Sequence, residues 1–219
     1  ESPILIVTHC EDNKTIENNL EKISAQRKGK LSPTDHALIR DELACYISSE
    51  KATSLAKKYS ADLHVLHLTT EREIELFEAK PTKDKKITTE ACIHHLIFTS
   101  DDYEEWGNFI KCNPSIKAPN NREALRQALK NNQIDIIATD HAPHTRDEKS
   151  LPYSEAPAGI PLIQHSFQLM LELANKDIFT IEEVIKFASH NTADRFKIID
   201  RGYVREGYFA DLVVFETGI

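Results

Sequence analysis

Short apolar runs and longer amphipathic segments alternate along the chain. Four short segments predict strands, at residues 4–8, 62–68, 86–91 and 134–139, and the first and last of them are nearly continuous apolar runs. Runs of this kind are typical of strands buried on both faces, as in a parallel sheet. Helical spacing of apolar residues predicts helices over residues 13–24, 32–58, 71–79, 122–130, 160–173 and 181–188. Strands that alternate with helices predict βα units arranged around a parallel sheet.

The longest predicted helix begins at Ser32, and its first turn carries two favourable residues. Pro33 suits the first helical position, and Asp35 places a negative charge near the positive end of the helix dipole. We expect this helix to extend to about Lys58, either unbroken or with a break near Ser48.

Residues 199–219 follow a different pattern. Gly202 and Gly207 mark turns, and the apolar run at residues 212–215 predicts a terminal strand with no helix after it. We therefore expect a small β-rich unit after residue 198. The chain also opens without methionine and runs directly into an apolar strand pattern, which we interpret as the interior of a longer polypeptide.

The acidic composition narrows the classes of partner. A formal net charge of −8 argues against nucleic acid or an anionic membrane surface as the main partner. Every apolar run falls short of the ~20 residues that a membrane-spanning helix needs. The cysteines are scattered without a CxxC pair, which predicts reduced thiols in a cytoplasmic protein; they are Cys10, Cys45, Cys92 and Cys112.

Three of the predicted strands end in residues that can ligate a metal. His9 follows the first strand, His67 ends the second and Asp140 follows the fourth. The carboxyl ends of parallel strands converge on one site in a barrel, and imidazole and carboxylate are the usual protein ligands of a catalytic zinc. Each histidine alone is more easily explained as structural. Their shared position at strand ends favours a metal site.

Strand geometry separates the two histidines of the second strand. Side chains alternate between the faces of a strand, so His64 and His67, three residues apart, point to opposite sides. We expect His67, at the carboxyl end, to face the interior and His64 to pack outward beneath a helix. The same reasoning separates His94 from His95 but leaves open which of them points inward.

Seven segments, taken in order, carry a family resemblance that covers nearly the whole chain. They are residues 9–12 (HCED), 67–70 (HLTT), 89–96 (TEACIHHL), 111–114 (KCNP), 138–144 (ATDHAPH), 158–159 (AG) and 207–213 (GYFADLV). In these segments the chain resembles the C-terminal part of the dihydroorotases, which belong to the amidohydrolase superfamily.

The resemblance implies a fold and an organisation. The fold would be the (β/α)8 TIM-type barrel of that superfamily, an α/β architecture. Residues 1–198 would form the C-terminal half of the barrel, strands five to eight, and residues 199–219 would be a segment of the flanking β-domain. A half-barrel leaves strand edges unpaired, so we expect it to pair with the missing N-terminal half or with another copy of itself.

The resemblance also implies the chemistry. His9 and His67 would bind the second of two zinc ions. Asp140 would bind the first zinc and carry a proton from the attacking hydroxide to the leaving nitrogen. Four further positions would contact the substrate: Asn113 and His144 through their side chains, and Ala158 and Gly159 through their backbone.

The implied reaction is the reversible interconversion of dihydroorotate, a small anionic cyclic amide, and N-carbamoyl-L-aspartate in pyrimidine biosynthesis. The chain contains no His-x-His pair for the first zinc and no bridging ligand, so alone it is expected to be incomplete and inactive. A hydantoinase or allantoinase is the alternative enzyme, and a non-catalytic scaffold subunit is the alternative from another class. Charged residues, serine and proline at residues 146–157 fit either a mobile loop over the site or an ordinary solvated loop.

Overall fold

A computed structural model describes residues 4–216 and contains a four-stranded parallel sheet. The strands are β1 (Ile6–Thr8), β2 (Leu63–Val65), β3 (Ile87–Cys92) and β4 (Ile136–Ala138). Each strand pairs with the next one in the chain, and Thr8 lies opposite Val65 while Cys92 lies opposite Ala138. All four predicted strands form, although most are shorter than the apolar runs that predict them. Their sequential parallel order is that of consecutive strands in a βα barrel.

Helices and helical turns connect the strands. The α-helices of the described part are α1 (Asn13–Gln26), α2 (His36–Ile39), α3 (Glu42–Tyr59), α4 (Ile93–Ile97), α5 (Tyr103–Trp106), α6 (Pro119–Lys130), α7 (Arg146–Lys149), α8 (Ser166–Asn175), α9 (Ile181–Ile185) and α10 (Asn191–Phe196). The 3-10 turns are Pro33–Asp35, Arg72–Leu76, Thr82–Asp84, Ser100–Asp102 and Gly107–Ile110, and Lys186–His190 is a π-helical turn. None of these helices is both long enough and apolar enough to cross a membrane.

Polar side chains set where the main helices begin. Asp12 caps α1, since its carboxylate accepts a hydrogen bond from the Thr15 amide at 2.9 Å. Asp41 caps α3 in the same way, so the segment predicted as one helix is divided at Arg40 rather than near Ser48. The Asp41 cap marks where α3 begins. Arg40, the residue before the cap, leaves helical geometry with φ −100° and ψ 69°, so the helix is interrupted there.

Two other predicted helices differ from the structure. The segment predicted at residues 71–79 forms the short 3-10 turn Arg72–Leu76, and the segment predicted from residue 160 becomes helical only at Ser166. In the first case the buried Glu73 carboxylate accepts hydrogen bonds from the Thr70 amide and hydroxyl, so side-chain contacts shape the turn. In the second case the Ala142 amide bonds the Ile160 carbonyl, which keeps that residue extended.

The hydrophobic core lies between the sheet and its helices. Leu63, Val65 and Ala91 are buried in one cluster with Ala56 of α3. Because side chains alternate along a strand, the residues between them in sequence lie on the opposite face. The helix-covered face of the sheet therefore holds the main apolar core, and the other face holds polar residues.

The prediction that His64 packs outward beneath a helix is wrong about the face. His64 is fully buried, but it bonds the Thr88 hydroxyl at 2.8 Å and the Glu90 carboxylate at 3.1 Å, on the face opposite Val65. Its ring lies 5.5 Å from the ring of Phe196, which ends α10. His64 and Val65 lie on opposite faces of β2, as side-chain alternation requires. Which elements cover each face depends on residues far away in the sequence, such as Phe196.

The terminal strand predicted at residues 212–215 does not form in the described part of the chain. Residues 203–216 contain turns and irregular backbone, and Val213 and Val214 are exposed. An apolar run becomes a strand only when another strand supplies its hydrogen bonds. The domain division at residue 198 stays a prediction, and residues 1–3 and 217–219 lie outside the described part.

Candidate metal-binding active site

The carboxyl ends of β1 and β2 bring His9 and His67 into contact. His9 Nδ1 lies 3.0 Å from His67 Nε2, and the two rings meet edge to face with centroids 4.7 Å apart. His67 has a φ of 35°, so the backbone has left strand geometry where its ring turns toward His9. The contact joins residues 58 positions apart and follows from the pairing of neighbouring parallel strands.

The second ring nitrogen of His9 is held by an acid. His9 Nε2 donates a hydrogen bond to Glu11 Oε2 at 2.9 Å, which leaves a lone pair on Nδ1, the atom that faces His67. Metal-binding histidines usually donate their other N–H to a carboxylate in this way. The Glu11 side chain is 1% exposed and also pairs with Arg40.

The charge of Glu11 is maintained despite its burial. Burial by itself raises the pKa of Glu11, but the hydrogen bond from His9 and the positive charges of Arg40 and Lys117 lower it further than burial raises it. The net pKa is below the usual value. Glu11 is therefore an anion at neutral pH and can keep His9 in one orientation.

His67 is buried, and its surroundings favour the neutral ring. Burial lowers the pKa of His67, and the nearby His9 acts in the same direction, while the carboxylates of Asp140 and Glu90 oppose them. A neutral imidazole keeps a lone pair for a metal. His67 Nδ1 is buried without a hydrogen-bond partner among the described residues.

Asp140 follows β4 and is exposed beside this pair. Its φ is 44°, a left-handed conformation that aspartate adopts more readily than most residues. Its negative charge acts on His67, so the structure places all three predicted metal ligands at the same end of the sheet. Their roles stay predictions.

The donor atoms fit a zinc ion. Ligand atoms about 2.0–2.2 Å from one zinc lie about 3.4 Å from each other in a tetrahedral site. The 3.0 Å between His9 Nδ1 and His67 Nε2 is close to that spacing. Among the described residues, Asp140 does not join these two nitrogens in a group of three donor atoms within 4.8 Å of one another. Imidazole and carboxylate are the donor types of catalytic zinc sites.

Asn113 is positioned by a buried histidine. His36 Nε2 donates to the Cys112 carbonyl at 2.9 Å and to Asn113 Oδ1 at 3.1 Å, while His36 Nδ1 accepts from the Tyr153 hydroxyl at 2.8 Å. Burial lowers the pKa of His36 to about 4, so the ring is neutral at pH 7. With its oxygen bonded to His36, the Asn113 amide has its two N–H donors left for another group.

Gly159 lies against His144 in a contact that only glycine allows. A Cβ on Gly159 would lie 2.6 Å from the Ala142 carbonyl oxygen and 3.1 Å from His144 Cδ2, and the φ of Gly159 is 147°. The Gly159 amide donates to the Lys111 carbonyl at 2.8 Å. The predicted substrate contacts at His144 and Gly159 therefore adjoin each other, with the half-buried Ala158 next in the chain.

Lys149 is a structural residue that the sequence did not reveal. It is buried, and its ammonium donates to the carbonyls of Lys111, Pro157 and Gly159 at 3.0, 3.1 and 2.9 Å. Burial lowers the pKa of Lys149 to about 8. The segment at residues 146–157 therefore contains the short helix α7, and the hydrogen bonds of Lys149 hold it in place. The charged composition of the segment gave no sign that one lysine would be buried.

Three other residues at the site were missed by sequence reasoning. Glu11 lies in the HCED segment, two residues after His9, and that spacing was the one available signal for it. Arg40 and His36 precede α3 and carried no signal, because their partners lie 29 and 76 residues away.

His94 and His95 do not follow strand alternation. Both lie in the first turn of α4, just after β3, and both are buried with ring centroids 4.1 Å apart. The alternation argument does not apply there, because the chain has already become helical.

Comparisons with known proteins agree with this fold. Proteins named dihydroorotase from Methanosphaera stadtmanae and Halobacterium salinarum are 33% and 29% identical over 213 residues. The matches cover 96% and 97% of this chain but 49% and 48% of those proteins, so the chain spans about half the length of the curated relatives it matches.

Solved structures give the same coverage. A D-hydantoinase (dihydropyrimidinase) from Thermus sp. superposes with a TM-score of 0.85 at 23% identity, over 96% of this chain and 47% of that one. A dihydroorotase from Saccharomyces cerevisiae superposes with a TM-score of 0.64 at 21% identity, over 71% of this chain and 44% of that one. Such low identities establish the fold alone. The predicted parallel α/β fold is confirmed, and half-length coverage fits the C-terminal half of such a barrel. Residues 2–219 match the Amidohydrolase family model, and the chain belongs to the amidohydrolase family.

Proposed function

We propose that this chain is part of a zinc-dependent cyclic amide hydrolase of the dihydroorotase type. The reaction is the reversible interconversion of dihydroorotate and N-carbamoyl-L-aspartate in pyrimidine biosynthesis. The observation that carries the proposal is the contact of His9 with His67 at neighbouring strand ends, with the charge of Asp140 acting on His67. The resemblance of 96% of the chain to proteins named dihydroorotase supports the choice of substrate.

In this proposal His9 Nδ1 and His67 Nε2 would bind one zinc ion, and the Asp140 carboxylate would bind the other. Zinc bound there would polarise the carbonyl of the scissile amide and make water a stronger acid. Asp140 is exposed and can exchange protons with substrate. It accepts the proton of the attacking water as the carbon–oxygen bond forms, and returns it to the ring nitrogen as the carbon–nitrogen bond breaks.

In the proposal, a second group of residues holds the substrate. The Asn113 amide donates to the substrate carboxylate, since its own oxygen is engaged by His36. His144 and the backbone at Ala158 and Gly159 contact the ring, and the contact between His144 and Gly159 sets their spacing. Polar donors suit a small anionic cyclic amide.

The complete protein requires more than this chain provides. Ile6 and Val7 of β1 are nearly half exposed, and β1 pairs on one side only among the described residues. A groove of about 540 Å³ lies between β1 and α3, lined in part by Ile6 and Leu55. In our proposal this edge pairs with the N-terminal half-barrel or with a second copy of the chain, and the isolated chain is inactive.

Zinc content measured on the purified chain tests the ligand assignment. We expect His67→Ala to lose one zinc equivalent relative to the parent. His64→Ala is the matched control, because it removes a buried histidine three residues away that bonds Thr88 and Glu90 instead of His9. Unchanged zinc in His67→Ala, or equal loss in both variants, would contradict the assignment.

Substrate choice is tested on the chain combined with a half-barrel that supplies a His-x-His pair. Hydrolysis of dihydroorotate but not of hydantoin or allantoin supports the proposal. Turnover of hydantoin alone would make the protein a hydantoinase, the family of the Thermus structure, and inactivity on all three rings would favour a scaffold.

A further inference from the structure

A second group of metal-ligand side chains lies where β3 passes into α4. Cys92, His94 and His95 each offer one ligand atom, and these three atoms lie within 4.8 Å of one another. The three residues are 0%, 1% and 3% exposed. Their segment is part of the family resemblance, but the resemblance gives these three residues no role, and the proposed reaction does not use them.

The two histidines leave polar atoms without partners. Both ring nitrogens of His94, and Nδ1 of His95, are buried with no hydrogen-bond partner among the described residues. A buried polar atom without a partner is unfavourable, so three of them in one place need an explanation. A cation between the rings would bind one nitrogen of each ring and so account for two of the three.

The hydrogen bond of His95 fixes which of its nitrogens is free. His95 Nε2 donates to the Pro114 carbonyl at 3.1 Å, so Nε2 carries the proton and Nδ1 carries a lone pair. A ring that donates one N–H to a backbone carbonyl and keeps its other nitrogen free is typical of a metal-binding histidine.

We propose that Cys92 Sγ, one ring nitrogen of His94 and Nδ1 of His95 form a second metal site, for a thiophilic divalent cation of the zinc class. On binding, the Cys92 S–H bond breaks, a sulfur–metal bond forms and the proton leaves to solvent. One thiolate and two neutral imidazoles are a donor set that zinc prefers. The site is independent of the proposed hydrolysis.

The spacing and the surrounding charges agree with this ion. Around one tetrahedral zinc, nitrogen and sulfur ligands lie about 3.4–3.6 Å apart, and one ligand atom from each of the three residues lies within 4.8 Å of the others. Burial raises the pKa of Cys92 well above its usual value, and Glu90 and Asp140 act in the same direction. Without metal, Cys92 is therefore a thiol. The Glu90 carboxylate would offset part of the charge of a bound cation.

Cobalt(II) titration of the purified chain tests the site, since cobalt replaces zinc and absorbs in the near ultraviolet when a thiolate binds it. We expect one saturable thiolate-to-cobalt band, displaced by zinc. Cys92→Ser and His94→Gln should lose most of its intensity. His67→Ala should retain it, because the site at His9 and His67 offers no sulfur.

Cys112→Ser is the matched control. Cys112 is equally buried, and its sulfur lies 3.8 Å from His95 Nε2, the nitrogen on the side that bonds Pro114. The band should survive this substitution. Absence of the band from the parent chain overturns the proposal without any variant. So does a band that survives Cys92→Ser, or one lost equally in Cys112→Ser when circular dichroism shows both variants folded.

Discussion

Gly159→Ala tests whether the loop that carries the predicted substrate contacts is closely packed. The new Cβ would lie 2.6 Å from the Ala142 carbonyl oxygen and 2.7 Å from the Ala142 Cβ, against a normal contact of 3.4 Å or more. The obstacle is backbone, which cannot rotate away as a flexible side chain would. The segment therefore has to move by roughly 0.7–0.8 Å to accept the methyl group.

The cost has two parts. A non-glycine residue at a φ of 147° costs about 1–3 kcal/mol, and overpacking a filled site costs about 1–3 kcal/mol more. We expect Gly159→Ala to lower the free energy of unfolding by about 2–6 kcal/mol. At about 2–4 °C per kcal/mol for a chain of this size, the melting temperature should fall by about 4–24 °C.

Gly29→Ala separates the two parts. Gly29 also has a positive φ, 76°, but its Cβ would meet no atom within 4 Å. That variant should lose only the conformational part, about 1–2 kcal/mol. The assay is urea unfolding of both variants beside the parent chain. If the two losses agree within about 1 kcal/mol, the close approach of Gly159 to Ala142 and His144 is not as the structure has it.

Three further predictions concern Lys149, His36 and Asp140. Lys149→Met leaves three carbonyls without their donor and should lower the free energy of unfolding by about 2–4 kcal/mol in urea; a loss no larger than that of Lys149→Arg would contradict this. The folded pKa of His36 is about 4, below the unfolded value near 6.5, so its contribution is complete above pH 6.5 and is lost as pH falls toward 4, by about 1.4 kcal/mol per unit. His36→Gln should remove that slope from urea unfolding measured between pH 7 and pH 5, whereas the exposed His165→Gln should keep it. In the complete enzyme, Asp140→Asn should reduce kcat by orders of magnitude, and near-normal turnover would exclude it as proton carrier.

The positions of the strands, and the end of the sheet at which the three predicted metal ligands lie, were predictable from the sequence. Apolar runs of strand length carry their own signal, which is clearest at residues 4–8 and 134–139. His9, His67 and Asp140 each lie at the end of a predicted strand. Since parallel strands end at one edge, their convergence needed no knowledge of packing.

Local signals were insufficient where a distant contact decides the outcome. The long predicted helix divides at Arg40, where the Asp41 cap begins α3 and Arg40 turns to Glu11. His64 alternates with Val65 as the pattern requires, yet the pattern could not tell which face the helices cover. The strand predicted near the end of the described chain has no partner strand there.

Tertiary structure alone decided which polar side chains are buried and what they hold. Lys149 stands in a charged segment that gives no hint of burial, but the carbonyls around it form a site for one ammonium. His36 bonds the carbonyl of Cys112, 76 positions later in the chain, and His95 bonds the carbonyl of Pro114, 19 positions later. A hydrogen bond forms between groups that are close in space. The spacing of residues in the sequence predicts such closeness only within a helix or between paired strands.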